Sequence, residues 1–328
     1  MHWTDLLDER RNDAWVGLQV ATSKAECPRR PAFRMEAGGP RLMRLACGET
    51  SLLWARVVRG DWGYTYLRAS PPHRGMGVLP PLRFDDARSK AAVPRSDDWY
   101  KAWARSFAHE LAQSPCSPLQ DGTMLLARAE SWRDDGSWGP AGGRVAVPPF
   151  NFLESVNEVL PHDFADWQLE LAPLPLRPLS DPASSRVKAY RKSARDGVLP
   201  PVLVMWMSGL QRYVILDGHD RLLASLLENG LPACLALLPL TECPVAPDPK
   251  RVAAVVNAVE QHVGARRPGR RELSVDQANR LLIGIHDDRP YLRIITRAWP
   301  LEGGPFRWFS EVRRELAHVP DADDAMLL

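Results

Sequence analysis

The segment VILDGHDRLLASLLENG, Val214 to Gly230, contains residue types and spacings that could bind a phosphate group and act on it. It predicts a buried strand that ends at Asp217 and a leucine-rich helix that begins near His219. A carboxylate at the end of a strand could accept a proton from an attacking hydroxyl or hold Mg²⁺, and an imidazole could move a proton near neutral pH. Asp217 and His219 are therefore candidate catalytic residues.

The start of this helix could also form an anion site. The first backbone N–H groups of a helix have no partner within it, and they carry the positive end of the helix dipole. Gly218 has no side chain, so a ligand could approach the backbone closely, and Arg221 could hold two phosphate oxygens at once. We therefore predict that the phosphates of a nucleotide contact Gly218, His219, Asp220 and Arg221.

The same residues are compatible with a purely structural corner. Asp-Gly is a common turn, and either Asp217 or Asp220 could cap the helix. Arg221 could be a solvated side chain in the first helical turn, while the leucines of the helix belong to the core. The corner alone leaves both interpretations open, because short motifs often match by chance.

The elements around the corner must position it. The stretch LAPLPLRPLSDPASS, Leu171 to Ser185, is dense in proline, which is disfavoured inside helices and central strands, so it predicts a domain entrance. A helix SRVKAYRKSARDG, a strand LPPVLVMWM, a turn at Ser208-Gly209 and a second strand RYVILDG follow. The leucine-rich helix and a third strand, PACLALLPL, complete a compact unit.

This order of elements and its spaced residues resemble the ParB/sulfiredoxin-like family over about Leu174 to Leu240, a fifth of the chain. The shared pattern is Gly-x-x-x-Pro-x-x-Val, a strand ending in Asp-Gly, and Gly-x-x-Arg-x-x-Ala at the start of a helix that closes on glycine. The matching residues are Gly197, Pro201, Val204, Gly218, Arg221, Ala224 and Gly230.

The resemblance implies a nucleotide-binding function. In ParB proteins the Gly-x-x-Arg-x-x-Ala box belongs to a CTP pocket, and in the free serine kinases an Asp-Gly-His-x-Arg version binds adenine nucleotide and transfers phosphate. By implication, Gly218, His219 and Arg221 would contact a nucleoside triphosphate or diphosphate with Mg²⁺. Asp217 would lie near the reaction, and Asp181 could substitute for the kinases' glutamate. A small molecule would then be the phosphate acceptor.

A second hypothesis belongs to another class, because neither a helix-turn-helix domain nor a second nucleotide box is found. In it the module has lost catalysis and serves as a scaffold that binds a protein, or DNA through the loop ARRPGRRE. A solvated loop also explains this charge run, and a turn explains IHDDRP, so no metal site is predicted. The arginines of the DNA hypothesis are Arg266, Arg267, Arg270 and Arg271.

Composition limits the remaining possibilities. The 328 residues are 45% hydrophobic and 25% charged with a net charge of +2, which is typical of a globular protein and requires no acidic polymer as partner. The five scattered cysteines predict neither a disulfide framework nor a zinc site. A charged N-terminus and the lack of a long apolar run predict a cytoplasmic protein without a membrane partner.

These patterns together predict an α+β (mixed α/β) fold in three parts. Residues 1–165 form a mixed α+β domain of unknown type, which includes a hairpin SLLWARVVRG–DWGYTYLRAS and a helix with apolar residues at every fourth position. Residues 170–245 form the ParB/sulfiredoxin-like module, and residues 246–328 form a helical C-terminal extension.

Overall fold

The computed structural model has the predicted α+β fold, with fourteen strands and six helices in the residues it describes. The structure describes residues 1–8, 13–58, 63–70, 78–80, 82, 93–129, 162–166, 172–243, 248–262, 274–285, 291–319 and 326–327. The chain divides into two compact units, one of Met1–Leu240 with Ile294–Leu328 and the other of Thr241–Arg293.

The first sheet of the larger unit combines strands from distant parts of the sequence. Seven of its eight strands are β1 (His2–Asp8), β2 (Ala14–Thr22), β7 (Gly122–Ala129), β9 (Leu174–Pro175), β10 (Val202–Met207), β11 (Arg212–Asp217) and β12 (Cys234–Cys243). They lie in the order β1-β2-β7-β12-β10-β11-β9. The β10–β12 and β11–β9 pairs are parallel, whereas β1–β2, β2–β7, β7–β12 and β10–β11 are antiparallel.

The second sheet lies in the order β14-β3-β4-β5-β6-β8. Its strands are β3 (Phe33–Gly39), β4 (Leu42–Cys47), β5 (Thr50–Val57), β6 (Gly63–Arg68), β8 (His162–Asp166) and β14 (Ala298–Pro300). The predicted hairpin is the antiparallel β5–β6 pair, and only the β14–β3 pair among the described pairs of this sheet is parallel.

Six helices complete the described structure. They are α1 (Asp97–Gln113), α2 (Ser185–Arg195), α3 (His219–Leu227), α4 (Pro249–His262), α5 (Val275–Ile285) and α6 (Gly304–Leu316). Helices α4 and α5 belong to the smaller unit, and strand β13 (Tyr291–Ile294) follows them. Among the described residues, no helix is both long and apolar enough to span a membrane.

One hydrophobic core joins both sheets and α1. The four-residue spacing predicted a helix with one apolar face, and the structure confirms it, because the four residues of that face are all buried. Ser96 caps this helix, its hydroxyl accepting a hydrogen bond from the backbone N–H of Trp99 at 3.3 Å. The buried face consists of Trp99, Trp103, Phe107 and Leu111.

The β7–β12 pairing links two of the three predicted segments. Thr123 to Ala129 pairs antiparallel with Cys234 to Leu240, so the predicted N-terminal domain and the predicted module share one sheet. The proline-rich stretch after residue 170 suggested a boundary because proline interrupts elements. Segments on either side of such a proline-rich stretch can still belong to one core when a strand from one side pairs with a strand from the other.

The scattered cysteines predicted no disulfide framework, but Cys47 and Cys116 are bonded to each other. Cys47 ends β4, and Cys116 follows α1, 69 residues further along the chain. Their Cα atoms lie 5.5 Å apart because both segments enter the same core, where Phe33 N–H also donates to the Ser117 carbonyl. Sequence spacing alone does not reveal such a long-range contact.

A buried ion network, which the sequence analysis missed, anchors α6 to the second sheet. Glu311 on α6 accepts hydrogen bonds from Arg44 at 2.7 Å, Ser51 at 2.8 Å and the Trp54 indole at 3.0 Å. Arg44 also pairs with Glu36 at 2.8 Å and has no solvent exposure. Charges buried this deeply need partners, so the network fixes the helix on this sheet.

Candidate anion-binding corner

The structure confirms the predicted strand, turn and helix at the candidate site. Strand β11 ends at Asp217, and Gly218 follows as the N-cap of α3 with a left-handed φ of 94°. Such a φ strains any residue with a Cβ, so glycine suits this turn. The first helical hydrogen bond runs from Leu222 N–H to the Gly218 carbonyl at 2.8 Å.

Three backbone amides at the start of α3 have no acceptor among the described residues. In the described part of the chain, no acceptor bonds to the backbone N–H of His219, Asp220 or Arg221, and no side chain caps this end of the helix. These amides carry the positive end of the helix dipole. The helix therefore begins where the sequence predicted, with these three amides uncapped.

Arg221 turns inward rather than towards solvent. Only 2% of the residue is exposed, and its Nη2 donates to Asp217 Oδ2 at 2.7 Å and to the Pro201 carbonyl at 3.0 Å. A Cβ placed on Gly218 would lie 2.9 Å from that same Nη2. The space left by the missing side chain of Gly218 is thus occupied by the guanidinium of Arg221.

Asp220 also makes internal contacts. Its carboxylate accepts hydrogen bonds from Arg177 at 3.0 Å and from Ser180 N–H at 3.3 Å, and it lies 3.5 Å from Arg186. Burial by itself would raise the pKa of Asp220, but the hydrogen bond and charge of Arg177 outweigh it and lower the pKa. The carboxylate therefore stays ionised, and it holds two arginines beside the helix start.

His219 is a buried, uncharged imidazole. Its Nε2 accepts a hydrogen bond from Leu176 N–H at 3.2 Å, which assigns the proton of the neutral ring to Nδ1. Burial and the nearby charge of Arg177 lower the pKa of His219 to about 3. At neutral pH this ring is therefore a weak base that joins α3 to the segment after β9.

Asp181, the third predicted catalytic residue, lies in an exposed turn before α2. Its Oδ1 accepts a hydrogen bond from Ala183 N–H at 2.7 Å, and its carbonyl accepts from Ser184 N–H at 2.9 Å. Ser184 is the N-cap of α2, with its hydroxyl accepting from Val187 N–H. The local role of Asp181 is therefore to shape the entry to this helix.

Arg68 belongs to the same corner, although no sequence motif indicated it. It ends β6 in the second sheet, and only 5% of it is exposed. Its Nη1 donates to the Pro175 carbonyl at 3.5 Å, and it pairs with no carboxylate of the described residues. Its charge helps to lower the pKa of His219, so the two groups lie near one another.

Comparisons with known proteins add no assignment: no family model, no curated protein and no solved structure matches this chain. The ParB/sulfiredoxin resemblance therefore stays a prediction. The DNA-binding loop with Arg266, Arg267, Arg270 and Arg271, like His286 to Pro290, lies outside the described residues. Within the described ranges, no group of three or more His, Cys, Asp or Glu side chains is arranged to hold a metal ion.

Proposed function

We propose that the chain binds a phosphate-bearing ligand at the start of α3 and does not catalyse phosphate transfer. In the form implied by the family resemblance, this ligand is a nucleotide. One observation carries this proposal, an excess of guanidinium groups around the free amides of the helix start. The four arginines outnumber the two carboxylates, and an anion would balance the difference. The arginines are Arg68, Arg177, Arg186 and Arg221, and the carboxylates are Asp217 and Asp220.

Binding is favoured over catalysis because the predicted catalytic groups are engaged internally. Asp217 accepts a hydrogen bond from Arg221, so one of its two carboxylate oxygens is already engaged within the protein. His219 uses Nε2 to accept from Leu176, and its pKa of about 3 makes it a poor proton acceptor at neutral pH. Any Mg²⁺ would then arrive with the nucleotide, held by its phosphates and water.

Titration calorimetry with CTP, ATP and ADP, each with and without Mg²⁺, tests the proposal. The variant Arg186→Ala removes a guanidinium that is 55% exposed, together with its 3.5 Å contact to Asp220. It leaves the Arg177–Asp220 and Arg221–Asp217 contacts in place. We expect this change to weaken binding about tenfold, since a charge-assisted contact contributes roughly 1.5 kcal/mol or more. Arg314→Ala, at an exposed position on α6, is the matched control and should bind like wild type.

Three outcomes would contradict this proposal. Absence of nucleotide binding by wild type, or equal affinity in wild type and Arg186→Ala, would leave the guanidinium excess without a ligand. Phosphate release or transfer that disappears in Asp217→Asn would instead favour the kinase or hydrolase implied by the resemblance. Nucleotide binding and phosphate release can both be measured on the same protein preparations.

The other predicted partners and the location stay as proposals of lower priority. Binding of DNA by the arginine-rich loop, or of a protein, is not favoured by any contact among the described residues. The predicted cytoplasmic location is one of these proposals. The Cys47–Cys116 disulfide weighs against it, because structural disulfides are typical of oxidising compartments.

A further inference from the structure

Arg68 differs from comparable buried arginines in what neutralises it. Arg44 pairs with Glu36, and Arg221 pairs with Asp217, each through an N–O contact shorter than 3 Å. Arg68 is 5% exposed, yet its only hydrogen bond in the described structure is a 3.5 Å contact to a carbonyl. Burying a guanidinium without an anion is unfavourable.

Two contacts place this guanidinium at the corner described above. The carbonyl that it contacts belongs to Pro175, and the next residue, Leu176, donates its N–H to His219 at the start of α3. Arg177 follows and donates to Asp220. Arg68 therefore approaches from the second sheet the same helix start that carries the free amides.

We propose that Arg68 is the residue that recognises the anion at this corner, and that the anion is a tetrahedral oxyanion of the phosphate type. The inference rests on the proposed function and names its recognition group. A guanidinium presents a planar fork of N–H donors that matches two oxygens of a phosphate. Apart from one Nη1 contact, the N–H groups of Arg68 donate to no described acceptor, so that fork is available.

The proposal predicts that phosphate stabilises the folded protein through Arg68, because a ligand that binds only the folded state raises its stability. The thermal midpoint is measured against inorganic phosphate concentration at constant ionic strength in wild type and Arg68→Met. We expect wild type to gain stability with phosphate and Arg68→Met to show no gain. Arg105→Met, which removes an exposed guanidinium paired with Asp5, should respond like wild type.

The stability of Arg68→Met without phosphate separates recognition from a structural role. If the guanidinium lacks an anion in the free protein, replacing it with an apolar side chain of similar length should leave the midpoint unchanged or raised. A lower midpoint, failure of Arg68→Met to fold, or a wild-type-like response to phosphate would overturn the inference. Arg68→Lys keeps the charge but loses the fork, and we expect it to bind phosphate about tenfold more weakly.

Parallel titrations identify the anion and keep the two proposals distinguishable. Sulfate should act like phosphate if tetrahedral geometry is recognised, whereas acetate should have little effect. Nucleotide binding that depends on Arg186 but not on Arg68 would reject the inference and retain the proposed function. A phosphate response that depends on Arg68, with no binding of CTP, ATP or ADP, would retain the inference and reject the nucleotide.

Discussion

Replacing Gly218 with alanine distinguishes a glycine that admits a ligand from a glycine that accommodates Arg221. The left-handed φ of 94° costs a non-glycine residue about 1–2 kcal/mol. The new Cβ would also lie 2.9 Å from Nη2 and 3.1 Å from Cζ of Arg221. Displacing that guanidinium weakens its bond to Asp217, and a hydrogen bond to a charged group contributes about 1.5–3 kcal/mol.

We therefore expect Gly218→Ala to lower the free energy of unfolding by about 3–5 kcal/mol in urea denaturation. Gly197→Ala is the matched control, because Gly197 has a φ of +72° with no atom within 4 Å of its Cβ position, and it should lose only about 1–2 kcal/mol. In an Arg221→Met background the contact is absent, so Gly218→Ala should then behave like the control. Equal losses for Gly218→Ala and Gly197→Ala in the wild-type background would refute this account of the corner.

Three further predictions concern stability. Glu311→Gln should destabilise the protein by about 3–5 kcal/mol in urea denaturation, because it leaves buried arginines short of a counter-charge; a loss below 1 kcal/mol would contradict this. His219 has a pKa of about 3 in the folded state and 6.5 in the unfolded state, so the unfolded state takes up the proton first as the pH falls. The free energy of unfolding should therefore fall by up to about 1.4 kcal/mol for each pH unit as the pH is lowered from 6.5 to 5. His219→Gln should flatten that slope, whereas exposed His318→Gln should not. Thiol titration of denatured, unreduced protein should find Cys47 and Cys116 unreactive, and full thiol reactivity before reduction would contradict the bond. Because the two cysteines are 69 residues apart, reduction should lower the free energy of unfolding by about 4 kcal/mol.

Local sequence patterns predicted the elements of this fold well. Trp99 to Leu111 repeats an apolar residue every four positions, and this spacing suffices to indicate one buried helix face. The strand–turn–helix at Gly218 was likewise predictable, since an apolar run, Asp-Gly and a leucine-rich segment follow one another. In both cases the signal lies within about twenty neighbouring residues.

Long-range pairing was not predictable from the same sequence. The β7–β12 pair joins strands more than 100 residues apart, and either strand alone reads only as an apolar run. The Cys47–Cys116 bond and the contact of Glu311 with Arg44 depend equally on tertiary packing. Such contacts have no fixed spacing, so a search for motifs does not find them.

The candidate site combines both kinds of information, which explains why its chemistry was predicted only in part. The motif correctly indicated a helix that starts after Gly218. The direction in which Arg221 points depends on Asp217 and Pro201, whereas the sequence favoured solvent or a ligand. Arg68 comes from another sheet and matches no motif, yet it is a buried guanidinium that pairs with no carboxylate among the described residues. If an anion binds at this corner, it would offset the unfavourable desolvation of the buried Arg68 guanidinium. Substitution of Arg68 is for that reason a more informative test of function than any change within the motif.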